Sequence, residues 1–178
     1  MKTVFKKSTT DFGCYAETNE QDQYLPNEDF TITDVLNSAA PLKDKAWFII
    51  SNCELTETQL REFAVKCAEI VLPIYEEKYP DNKAPRAAIE AVKAYLAGTI
   101  SLDELIAKRN AVYAAVYAAV VPAAATTATA AAAAAYNACA WAADAYAADA
   151  YAADASRKNA TYQDLLLTFF KEFINGNQ

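Results

Sequence analysis

Three aspartates, Asp144, Asp149 and Asp154, recur every five residues. Each follows an aromatic by three positions: Trp141, Tyr146 and Tyr151. Regularly spaced carboxylates could supply acid–base pairs or a cation site. A helix has about 3.6 residues per turn, so a five-residue step rotates about 140°. The carboxylates therefore spiral around the axis and do not share a face. That helix alone holds neither an acid–base pair nor a metal. The three-residue step from aromatic to carboxylate does make surface neighbours. Tyr136, Trp141, Asp144, Tyr146, Asp149, Tyr151 and Asp154 are accordingly the expected partner-binding set, since Tyr and Trp are favoured anchors of protein interfaces. The plainer alternative is an alanine helix wetted by Asp and anchored by Tyr.

Other chemistry is constrained by what the chain lacks. It has no histidine, which removes Ser-His-Asp and Cys-His catalysis and most zinc sites. Gly13, Gly98 and Gly176 are too far apart for a phosphate-cradling loop. Cys14, Cys53, Cys67 and Cys139 form no paired spacing and read as free thiols in a reducing compartment. Cys67 lies on an apolar stripe, which suits a structural thiol better than a nucleophile. Glu76 and Glu77 adjoin Lys78 and read as a solvated helix end. No catalytic residue, cofactor or metal is expected.

The elements that position the Tyr/Trp/Asp set begin with the tract itself. Residues 111–155 are mostly alanine, the best helix former, and contain no Lys, Arg, Gly or Ser. Pro122 divides the tract into two long helices. Residues 110–143 carry no charge, enough length to cross a bilayer. They hold Ala, Thr, Asn and Tyr where a spanning helix needs Leu, Ile and Phe, so no membrane span is expected. A pentapeptide solenoid is also set aside, because alanine would stand where each repeat needs a large apolar centre.

Helix signals repeat upstream. Thr33 is expected to cap residues 34–40. A second helix over residues 42–52 carries Trp47, Phe48, Ile49 and Ile50 as an almost fully buried turn and a half. Thr56-Glu57-Thr58-Gln59 fits a capping box. It launches the 3.6-residue stripe Leu60, Phe63, Ala64, Cys67, Ile70, Val71 and Ile74. Pro73 is expected to kink or end that helix near Leu72. Residues 79–82 read as a turn, and Pro85 opens the next helix. Gly98 suits a left-handed cap, and Ser101-Leu102-Asp103-Glu104 is another capping box. The helix behind it carries Leu105, Ile106, Val112, Tyr113, Val116, Tyr117 and Val120. A last helix starts at residues 161–164, carries Leu165, Leu166, Phe169, Phe170, Phe173 and Ile174, and closes at Gly176.

The expectation is an all-α fold. It is a bundle of six to seven helices with two long alanine-rich helices and no convincing sheet. Residues 1–30 read as an irregular arm, with a short strand at residues 3–5, and residues 31–178 as a single helical domain. The chain has 23 acidic and 16 basic residues, a formal charge of −7. That balance argues against a nucleic-acid surface and favours a basic partner. No secretory leader is expected, because Lys2, Lys6 and Lys7 have no apolar stretch behind them.

The segment from Pro85-Arg86 through Ile89-Glu90-Ala91, Gly98 and Ser101-Leu102-Asp103-Glu104-Leu105, followed by alanine-rich helices, resembles an immunity-protein family. That family is associated with bacterial polymorphic toxins and also found in phage genomes. The likeness covers about residues 40–155. Its members often carry histidines in the alanine helices, where this chain has Tyr, Asn or Asp, so no histidine-based role is carried over. The resemblance implies a cytoplasmic all-helical protein that neutralises another protein. It implies a non-enzymatic inhibitor of immunity or phage anti-defence type, acting on a toxin or host defence protein in the bacterial cytoplasm. Two alternatives stand beside it. One is a sponge for a nucleotide signal, with tyrosines stacking the base and Arg86, Lys108 or Arg109 meeting phosphate. The other is a helical scaffold or homo-oligomerisation module.

Overall fold

The computed structural model describes residues 4–10, 24, 25, 27–120, 133 and 160–176. They are mostly helical, as expected for an all-α chain. The chain divides into two compact units: Met1–Leu55 with Leu167–Gln178, and Thr56–Leu166. Among the described residues, no helix is long and apolar enough to cross a membrane.

The first unit opens with two short strands, β1 (Val4–Lys6) and β2 (Asp29–Thr31), paired antiparallel with Phe5 opposite Phe30. The expected strand at residues 3–5 is thus found one residue later, and it has a partner. Alternation turns Phe5 and Phe30 inward while their neighbours face out. The two rings stack at 5.6 Å, and Phe48 meets Phe5 edge-on at 5.0 Å. Strands of three residues are too short to show a period of two in the sequence.

Helix α1 (Ile32–Asn37) begins two residues earlier than expected, because Thr31 and not Thr33 is its cap. The Thr31 hydroxyl accepts from the Asp34 amide at 3.2 Å, and the Asp34 carboxylate accepts from the Thr31 amide at 2.7 Å. The helix stops at Asn37 and not at Ala40. There the Ser38 hydroxyl donates to the Val35 carbonyl at 2.8 Å.

Helix α2 (Leu42–Asn52) buries Phe48 and Ile49, while Trp47 and Ile50 are half-buried, so the buried turn is narrower than expected. It also buries Lys45, only 6% exposed. The Lys45 amine donates to the Leu36 and Ser38 carbonyls at 2.9 and 2.8 Å, closing the end of α1. Burial, together with Lys171, pushes that amine below the ordinary lysine range.

The second unit starts with α3 (Glu57–Lys78). Thr56 and Gln59 cap it reciprocally, at 3.2 and 2.8 Å. Phe63, Cys67, Ala68, Val71 and Tyr75 are fully buried along one stripe. Pro73 does not end this helix, which runs on to Lys78. Pro73 is exposed while Val71, Leu72 and Tyr75 beside it are buried. Burial of its neighbours outweighs the one hydrogen bond the proline cannot make.

After the turn at residues 79–82 comes α4 (Ala84–Leu96), with Pro85 in its first turn and the Asn82 side chain accepting from Ala84 at 3.1 Å. Gly98, at φ +70°, closes it as expected. The Thr99 amide reaches the Ala94 carbonyl and the Gly98 amide the Tyr95 carbonyl, both at 2.9 Å, which is the Schellman pattern. Helix α5 (Leu102–Val120) starts at the Ser101–Glu104 box, with bonds of 3.2 and 2.8 Å, and buries Leu105. From Val112 to Val120 the described structure is the helical backbone alone, so the side chains expected in the core there lie outside the description.

The last helix, α6 (Ala160–Gly176), buries Leu166, Phe170 and Ile174 at a four-residue spacing. Six α-helices thus lie among the described residues. Pro122 and the helix expected beyond it lie outside them.

Candidate functional site

The expected partner-binding residues Tyr136, Trp141, Asp144, Tyr146, Asp149, Tyr151 and Asp154 all lie outside the described residues, as do Cys14 and Cys139. The platform before them does not. Helices α3 and α4 form a hairpin whose facing surfaces are joined by ion pairs. Arg86 grips Glu76 with both arms of its guanidinium: Nε to Oε1 at 2.6 Å and Nη2 to Oε2 at 2.5 Å. One turn pair further from the loop, Lys93 donates to Glu69 and to Glu90, both at 3.0 Å. Lys66 approaches Glu69 at 3.6 Å.

These pairs fix how the side chains titrate. The Arg86 hydrogen bonds hold the Glu76 carboxyl below the usual carboxylate range, and Glu76 raises Arg86 in turn. Glu90 and Glu69 likewise raise Lys93. The expected solvated helix end at Glu76 and Glu77 is therefore half right. Glu77 is exposed, but Glu76 is half-buried and committed to Arg86. The same bond bears on the nucleotide reading. The Arg86 guanidinium, offered there to phosphate, already holds a carboxylate.

A second cation is buried deeper. Arg61 is 4% exposed, bonds Glu57 at 3.0 Å one turn away, and lies 5.5 Å from the centre of the Tyr95 ring. A planar guanidinium suits both tasks, the carboxylate edge and the aromatic face. Cys53 and Cys67 are both fully buried, and burial pushes the Cys53 thiol up to about 12. Among the described residues, no three His, Cys, Asp or Glu side chains gather where they could hold a metal ion.

The α3–α4 pairs were missed from sequence because they are long-range, yet a signal was present. Glu69 and Glu76 are seven apart, and so are Arg86 and Lys93. The ion pairs Glu76–Arg86 and Glu69–Lys93 share residue 81, in the turn, as midpoint. Matching opposite charges reflected about a turn mark an antiparallel helical hairpin.

A family model described as Imm-5 like putative immunity protein matches residues 52–165. Nothing among the curated proteins or the solved structures matches the chain.

Proposed function

The chain belongs to the Imm-5 like immunity-protein family, and we propose that it acts as a non-enzymatic inhibitor, binding and neutralising a toxin or a host defence protein in the cytoplasm. The observation that carries this reading is the family match, which spans well over half the chain and takes in α3, α4, α5 and the alanine tract. Within residues 52–165 there are 14 acidic against 10 basic residues. An acidic surface favours a basic partner and speeds the encounter with it. The rigid ion-paired hairpin would hold the tract, and the Tyr/Trp/Asp set from Tyr136 to Asp154 would meet the partner. In a phage setting the same surface would serve as an anti-defence device.

The test is co-expression. A captured partner should be toxic alone and harmless beside this chain. Substituting Trp141→Ala and Tyr146→Ala together should restore toxicity without unfolding the chain. If no captured protein is toxic, or if protection survives the double substitution, the reading or its assigned surface fails.

A further inference from the structure

The first unit contains a cavity of about 210 Å³, lined in part by Tyr24, Asn27, Phe30, Asp34 and Asn37. It lies outside the residues that the family model matches, so family membership says nothing of it. Its volume falls below the roughly 300–1,000 Å³ of typical small-molecule sites. One side chain fits it better than a nucleotide does.

Among the described lining residues, Asp34 is the acid and none is Lys or Arg. The Asp34 carboxylate is fixed by bonds from the Thr31 amide and hydroxyl at 2.7 and 2.8 Å, and both land on Oδ2. Those bonds hold the carboxyl below the usual range, so it stays charged. Lys45 approaches the same segment, but its amine is spent on the Leu36 and Ser38 carbonyls and does not line the cavity. The half-buried Tyr24 supplies ring surface for a guanidinium plane or a methylene stem, whereas the Phe30 ring is buried and stacked on Phe5. Asn27 and Asn37 supply amide oxygens that accept from N–H donors.

We propose that this cavity receives one cationic side chain, an arginine, presented by a protein partner. The planar guanidinium is the group that uses a carboxylate, amide oxygens and an aromatic wall together. The chain's formal charge of −7 favours approach of a basic protein.

The test is a titration of the full ¹⁵N-labelled chain, followed by NMR. The probes are a blocked Gly-Arg-Gly tripeptide and its citrulline analogue, which keeps the shape and loses the charge. The expected result is saturable shifts at the Asn27 and Asn37 side-chain amides and the Asp34 backbone amide. Citrulline should bind at least about tenfold more weakly, the ratio that a bond to a charged group carries. Asn37→Arg should abolish the shifts by placing the chain's own cation in the cavity, while leaving the Thr31–Asp34 capping box intact. Asp34→Asn should also abolish them, and the Asn37 variant guards against loss of α1. Equal binding of both peptides, shifts that do not saturate, or full binding by Asn37→Arg would overturn the proposal. No toxin enters this measurement, so it can fail while the function proposed above stands, and the reverse.

Discussion

Glu76 and Arg86 face each other across the α3–α4 turn with two parallel hydrogen bonds of 2.6 and 2.5 Å. Glu69 and Lys93, each seven residues further from that turn, repeat the relationship at 3.0 Å. The ladder sets the hairpin's register more than its stability. Half of the Arg86 side chain is exposed, and exposed pairs contribute about 0.2–1 kcal/mol. A double-mutant cycle with Glu76→Gln and Arg86→Gln, read by urea unfolding, should give a coupling in that range. A coupling of several kcal/mol would mean that the pair behaves as buried.

Acid should weaken the chain in a defined window. Glu76, Asp34 and Glu104 all have folded-state carboxyls below their ordinary values, through bonds to Arg86, Thr31 and Ser101 respectively. A lowered folded-state value means that the stabilisation is present above the unfolded value, near 4, and is lost as pH falls through the folded value. Thermal unfolding between pH 7 and pH 3 should therefore show a level region at the neutral end and a decline below about pH 4.5. A midpoint that rises on acidification would contradict the assigned bonds.

Two adjacent leucines on α6 should behave oppositely. Leu166 is fully buried, whereas Leu165 is 48% exposed. Leu166→Ala should cost about 2–5 kcal/mol through lost burial and the cavity left behind. Leu165→Ala should stay within about 0.5 kcal/mol. Urea midpoints of the two variants check this, and similar losses would misplace the helix face.

Glu54 adopts φ 52°, the left-handed region, between α2 and α3. A β-branched side chain there carries a larger steric penalty. Glu54→Val should destabilise by about 1–2 kcal/mol. Glu54→Gly should be neutral to within about 1 kcal/mol, because glycine removes the strain and adds unfolded-state entropy. A Val variant as stable as the Gly variant would mean that the position relaxes.

Local chemistry was legible in the sequence where a few neighbouring residues decide the outcome. Thr56 with Gln59, Ser101 with Glu104, and Gly98 each placed a helix end correctly, because capping needs only four or five residues. Pro73 does not end α3 because its local penalty competes with tertiary burial of Val71, Leu72 and Tyr75, which propensity does not contain. Thr33 fits a cap by residue type alone, but Thr31 takes that place because its pairing with Val4 ends the strand there. The Glu76–Arg86 bond needed the two charge spacings to be reflected about residue 81. The Tyr/Trp/Asp set remains a proposal from spacing, since its residues fall outside those described.

The central claim is recognition of a protein through the alanine tract, and affinity capture tests it most directly. The full chain, tagged and incubated with host lysate at about 0.15 M salt, should retain a basic protein in stoichiometric amount. The Trp141→Ala, Tyr146→Ala variant, shown by circular dichroism to be folded, should lose it. Equal retention by both chains, or no specific protein on the unaltered one, would contradict the account.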